Sequence, residues 1–236
     1  MTDLGSGIPR VLLGTSPFIA AGQFGHRAML YYRRFYGRPK VIAGVICRAY
    51  DVGVRGIQLL PYRFVVDAVK LAEDRLGARF AVIGTIARER DMEALRDLDV
   101  RALLLHGEVT DSRDEGRIGS LLDLIREAGA MAGLATHRPL STLDWLSRGN
   151  LDVDVLMLPF NMMGYFMDGR PEEVIRAIRS LGKPVIAKKT LAAGTLDPEG
   201  ALTYVADAGC VHAVAVGVAS EEEAEETLAE AVRLFR

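Results

Sequence analysis

Short apolar runs recur along the chain, separated by longer amphipathic stretches. The runs are VLLG (Val11–Gly14), GIQLL (Gly56–Leu60), FAVIGTI (Phe80–Ile86), RALLLH (Arg101–His106), MAGLAT (Met131–Thr136), DVLMLPF (Asp154–Phe160), PVIAKK (Pro184–Lys189) and AVAVGV (Ala213–Val218). They are apolar at consecutive positions rather than at alternate ones, the pattern of strands covered on both faces. The stretches between them, such as FVVDAVKLAEDRLG, IGSLLDLIREAG and PEEVIRAIRSLG, carry apolar residues at helical spacing. Several close on a glycine (Gly53, Gly77, Gly129, Gly182, Gly209), the residue that helix C-termini favour. Eight strand–helix units in 236 residues predict an α/β fold, a (β/α)8 TIM barrel formed as one domain over residues 1–236. A doubly wound open sheet is the alternative, but no Gly-x-Gly-x-x-Gly follows the first strand. No Pro/Ser-rich linker or low-complexity tract divides the chain.

One unit breaks the rhythm. An insertion at about 20–40, AAGQFGHRAMLYYRRFYGRPK, sets Tyr31, Tyr32, Phe35 and Tyr36 beside Arg27, Arg33, Arg34, Arg38 and Lys40. Aromatic residues among arginines can bind single-stranded nucleic acid. The basic cluster is local, however, and the whole chain carries a net charge of −2, so no nucleic-acid partner is expected. An extra helix that covers the barrel or joins two copies in a homo-oligomer is the better reading.

Half of the residues are hydrophobic, enough for a sizeable core. Cys47 and Cys210 lie far apart in apolar stretches and read as small core residues. No signal peptide or membrane-spanning run is visible, so no membrane partner and a cytoplasmic location are expected. Gln23, Gln58, Asn150 and Asn161 are the only side-chain amides, a scarcity that hints at a thermophilic source.

Catalytic groups of a (β/α)8 barrel come from the C-terminal ends of its strands. Those ends offer Thr15 and Ser16, Gln58 and Tyr62, Thr85, His106, Thr136 and His137, Asn161, and Lys188 with Lys189. The run LDVRALLLHGEVTD places His106 where a buried strand emerges into a loop. Any one of these residues alone reads better as a strand-end cap; their accumulation in an apolar mouth reads as a small-molecule site. Strand alternation predicts that only one of Lys188 and Lys189 faces the interior. A His106/His137 metal site would lack a His-x-His after the first strand and a clear carboxylate set, so no metal is expected. The loop PFNMMGYFMDGR (Pro159–Arg170) reads as a lid over the site or as packing against a neighbouring subunit.

The order of motifs resembles the aldo-keto reductases. LDVRALLLHGEVTD is similar to the family's fourth strand, which ends in Leu-His, and VDVLMLPFN to its sixth. GKPVIAKKTLAAGTL is similar to the seventh strand and its turn, VHAVAVGVASEEEAEE to the eighth strand and last helix, and AYDVGVRGIQLLPY to the second strand. The resemblance implies a barrel that reduces carbonyls with NADP, using Asp, Tyr, Lys and His. Of these only the histidine matches, as His106; the aspartate position holds Gln58, the tyrosine position Arg63 with Tyr62 beside it, and the lysine position Ile86. The family's contacts to the nicotinamide fall on Ala135, Thr136, Met157 and Lys188, and the resemblance implies that Lys188 is the lysine facing the interior. Gly217 and Ser220 are the candidates on the cofactor side. There Glu221, Glu222 and Glu223 stand where a 2′-phosphate would need a cation, and Ser220 with Glu223 reads as a capping box. Weak or no NADP binding is therefore expected.

Three functions stay open. The first is an enzyme acting on a small carbonyl or hydroxy compound, with His106, Lys188 and Tyr62 as catalytic groups. In it Gln58, Asn161, Thr15, Thr85, His137 and Lys189 bind substrate, and a lysine can form a Schiff base. The second is an ordinary NADP-dependent reductase with Tyr62 as the acid. The third is a non-catalytic protein that binds a small molecule on the same barrel.

Overall fold

The structure, a computed structural model, describes residues 7–235; the outermost positions of the expected domain, Met1–Ser6 and Arg236, lie outside these. The chain runs β1 (Val11–Gly14), α1 (Arg27–Phe35), α2 (Pro39–Asp51), β2 (Gly56–Leu59), α3 (Arg63–Leu76), β3 (Ala81–Ile86), α4 (Arg90–Glu93) and β4 (Asp99–Leu105). It continues with α5 (Gly107–Thr110), α6 (Glu115–Glu127), β5 (Met131–Ala135), α7 (Pro139–Arg148), β6 (Val155–Pro159), α8 (Pro171–Leu181) and β7 (Val185–Lys188). After α9 (Pro198–Asp207) and β8 (Ala213–Gly217), the last helix starts as α10 (Glu221–Glu223). It passes through a π-helical turn and ends as α11 (Ala229–Leu234). The eight strands pair in parallel, each with its sequence neighbour, and β8 closes back on β1 to make one barrel. The fold is the (β/α)8 barrel that the eight apolar runs predict, and each strand lies within a residue or two of its run.

Continuous apolar strands are needed because each strand is covered twice. One face packs outward against the helices, where Leu13, Ile57, Leu103, Leu105, Leu134 and Leu156 join the main core. The other face fills the barrel: Leu12, Ile83, Leu104, Val155, Met157 and Ile186 form a separate interior cluster. The interior is a packed core rather than a pore. Space for the larger residues comes from small ones across from them. A Cβ on Gly133 would lie 2.5 Å from the Val155 carbonyl oxygen, so only glycine lets β5 approach β6 there. The connections are closed by local chemistry. Gly77 and Gly182 end α3 and α8 in the left-handed conformation. The side chains of Asp114 and Asp197 accept the backbone N–H groups of Arg117 and Gly200 at the starts of α6 and α9. The insertion contributes a short 3-10 turn (Gly22–Phe24) and α1, which stand between β1 and its barrel helix α2. Among the described residues no helix is long and apolar enough to cross a membrane.

Candidate functional site

Strand alternation decides which strand ends can meet. In β1 to β8 the inward positions lead upward from the apolar interior to Gln58, Thr85, His106, Ala135, Met157 and Lys188, all of which line one cavity of about 400 Å3 at the C-terminal mouth. The same parity turns other candidates away. Thr15 follows inward Gly14, is fully buried, and its hydroxyl has no hydrogen-bond partner among the described residues. Thr136 follows inward Ala135 and spends its hydroxyl on Asp111 (2.5 Å) and Thr142 (2.7 Å).

Lys188 ends β7, between Pro159 of β6 and Ala215 of β8. Its Nζ has neither a hydrogen bond nor an ion pair among the described residues. Burial, and then the charge of Lys189, push its pKa down to about 7. His106 is fixed by its own backbone: it caps α5, and its Nδ1 accepts the Glu108 N–H at 3.2 Å. That bond leaves the ring proton on Nε2. Burial and Lys188 both hold the imidazole below its usual pKa, so it is neutral at physiological pH. His137, in the loop after β5, stands edge-on to His106 with ring centroids 5.6 Å apart. Burial, Lys188 and Lys189 lower its pKa to about 4. Its Nδ1 lies 3.4 Å from Asp111 Oδ2, which also accepts the His137 backbone N–H at 3.0 Å. A neutral imidazole facing a carboxylate carries its proton on that side, which leaves the Nε2 lone pair free. Gly107 makes this packing possible, because a Cβ there would run into the His137 ring. Gln58 donates from Nε2 to Thr85 Oγ1 at 3.1 Å, tying the floor of β2 to that of β3.

The expectation that only one lysine reaches the interior needs correction. Lys188 is the inward residue of the strand, but Lys189 lines the same cavity. Lys189 lies beyond the last strand residue with φ +57°, so the alternation rule no longer governs it. Its ammonium sits 4.0 Å from the centroid of the Phe166 ring, and burial lowers its pKa to about 8. Asn161 is what holds this bend. Its Nδ2 donates to the carbonyls of Lys189 (3.2 Å) and Tyr165 (2.9 Å), and its Oδ1 accepts the Tyr165 N–H at 2.9 Å. The amide is thus engaged with the chain and does not line the cavity. Tyr62 does not line it either: it caps α3, is 47% exposed, and lies against Phe64.

A second arm of the cavity extends from Lys189 along the loop that follows β7 to Glu223, Glu226 and Thr227. Sequence reading missed most of this arm. Its roof is the insertion: Arg27 of α1 donates to the carbonyls of Ala193 and Gly194 across the cavity, and Phe24 packs edge-on to Tyr31 at 5.0 Å. The loop is strained, with Lys189, Ala192 and Ala193 all at positive φ.

Several solved structures with the same architecture are aldo-keto reductases, and one with a looser match is a thiamine phosphate pyrophosphorylase from Pyrococcus furiosus (TM-score 0.54, 14% identity, over 82% of this chain and 88% of its own). A Pseudomonas aeruginosa protein assigned to the reductases superposes with a TM-score of 0.70 at 20% identity, over 99% of this chain and 94% of its own. An aldo/keto reductase from Klebsiella pneumoniae in complex with NADP and acetate gives 0.61 at 16% identity, over 95% and 86%. Aldose reductase from Giardia lamblia gives 0.60 at 15% identity, over 96% and 91%. No protein-family model and no curated protein sequence matches the chain. The protein therefore has the aldo-keto reductase fold, the one its motifs resemble.

The residues present do not fit NADP. Where the resemblance asks for side-chain amides and a stacking ring, the cavity shows Ala135, Met157 and the Lys188 ammonium. At the far arm the start of α10 is already satisfied from within: Ser220 Oγ accepts the Glu223 N–H at 3.0 Å, and Glu223 Oε2 accepts the Ala219 N–H at 2.8 Å. Glu223 and Glu226 then present carboxylates to whatever lies there. Gly217 lines the mouth, whereas Ser220 serves only as the helix cap.

Proposed function

We propose that the protein is a divergent aldo-keto-reductase-like barrel enzyme that acts on a small carbonyl compound through the amine of Lys188. The observation that supports it most is an inward-facing lysine on the cavity floor with no ion pair among the described residues, its amine partly deprotonated at neutral pH. Such an amine attacks a carbonyl carbon. The C–N bond forms, and the C=O electron pair moves to oxygen. The C–O bond then breaks. Two of the three ammonium protons leave with the oxygen as water, and one stays on the imine nitrogen. His106 donates from Nε2 to the carbonyl oxygen, and His137 Nε2 takes and returns the protons in transit. Gln58 and Thr85 hold the substrate beside them.

The test is incubation with a panel of small aldehydes and ketones under borohydride, then mass mapping. The adduct is expected on Lys188, lost in Lys188→Met and weakened in His106→Ala. Even labelling of Lys40, Lys70 and Lys183 overturns the proposal. A second reading, an NADP-dependent reductase, draws on the cavity lining, which runs from Lys188 to Glu226 and Thr227 in the last helix. NADPH binding in the low-micromolar range would favour it.

A further inference from the structure

Two adjacent lysines share one cavity wall, an arrangement that a regular strand forbids and that a left-handed residue enforces. A non-glycine residue at positive φ is uncommon and unfavourable, and here it is stabilised by a buried amide, Asn161, dedicated to the Lys189 carbonyl. The bend brings a second positive charge to the mouth, where it disfavours the first. Among the described residues no carboxylate pairs with either ammonium. Lys189 rests on the face of Phe166. Asp111, whose charge reaches Lys188, is already engaged by Thr136 and His137. The other groups at the mouth, Gln58, Thr85, His106, Ala135 and Met157, are uncharged, and the carboxylates of Glu223 and Glu226 stand at the opposite arm.

We infer that the substrate supplies the missing anion and is a small 2-oxo carboxylate, its carbonyl carbon at Lys188 and its carboxylate at Lys189. This rests on the imine-forming role of Lys188. The anion is placed next to the carbonyl because both lysines line one cavity and the charge of Lys189 reaches Lys188. A carboxylate one bond from the reacting carbon meets the second while the first makes the C–N bond. A phosphate ester puts its charge farther from the carbonyl and favours a helix N-terminus with free N–H groups. Two helix starts beside the cavity are closed to it: His106 caps α5 at the mouth, and Ser220 with Glu223 caps α10 at the arm.

The experiment compares borohydride trapping at Lys188 by pyruvate, methyl pyruvate, 2,3-butanedione and dihydroxyacetone phosphate, each titrated to half-maximal labelling. Pyruvate is expected to need about tenfold less than methyl pyruvate or the diketone, the effect of one charge-assisted hydrogen bond. In Lys189→Met that ratio falls to about one, and Lys189→Arg retains it. A ratio removes any change in Lys188 reactivity caused by the lost neighbouring charge, and equal melting temperatures show that the variants fold. Labelling of Lys188 with no preference for pyruvate, a preference that survives Lys189→Met, or tighter trapping of dihydroxyacetone phosphate overturns the inference and leaves the lysine chemistry standing. No label on Lys188 with any of the four overturns the lysine chemistry itself.

Discussion

The two ends of the cavity are built on opposite principles. The mouth stands on strands. Gln58, Thr85, His106 and Lys188 continue the inward faces of β2, β3, β4 and β7, so barrel packing fixes their direction. The far arm stands on loops and on an inserted helix. Its shape depends on three non-glycine residues at positive φ and on the reach of Arg27 to the carbonyls of Ala193 and Gly194. The charges differ too: lysines without an ion pair among the described residues at the mouth, and carboxylates, the Arg27 guanidinium and a self-capped backbone at the arm. Groups that must be positioned for chemistry sit on rigid elements, whereas the walls that select a ligand are placed on segments free to vary.

Substitutions can break this contrast, and the largest effects should fall on the barrel beneath the mouth. Leu104→Ala removes a fully buried interior side chain and should destabilise the protein by about 2–5 kcal/mol in denaturant unfolding. Gly107→Ala should cost about 1–3 kcal/mol, because the new methyl must push aside the His137 ring. The same change should slow trapping at Lys188. Ser220→Ala, at the arm, should cost about 1 kcal/mol through the lost helix cap. Glu226→Lys should change stability least and should tighten NADPH binding several-fold, read as a fluorescence or melting shift. No gain there would show that charge is not what excludes the dinucleotide.

Stability should also depend on pH in a defined direction. Lys188 and Lys189 have folded pKa values of about 7 and about 8, below the 10.5 of a free lysine. Between these values and 10.5 the unfolded chain binds more protons, so their contribution to stability rises with pH across that window. The unfavourable term is fully present below the folded values. Lys188→Met should flatten the rise, seen by comparing unfolding at pH near 7 and near 10.

The sequence made the barrel legible because burial on both faces leaves eight apolar runs with little room for slippage. It also carried the parity that sends His106 and Lys188 inward, and the same count, applied to every strand, turns Thr15 and Thr136 away. Lys189 was not legible: its left-handed backbone depends on Asn161, 28 residues away. Nor was the engagement of His137 by Asp111, which needs two loops to meet, or the approach of Arg27 to Ala193, 166 residues apart. These contacts come from tertiary closure, and no local pattern records them.

Lys188 as a working amine is tested most directly by the pH dependence of the borohydride-trapped adduct, resolved by mass to individual lysines. The adduct is expected to concentrate on Lys188 and to increase as pH rises through about 7. An adduct that grows only as pH approaches the 10.5 of a free lysine, or one shared evenly with Lys40, Lys70 and Lys183, would contradict it.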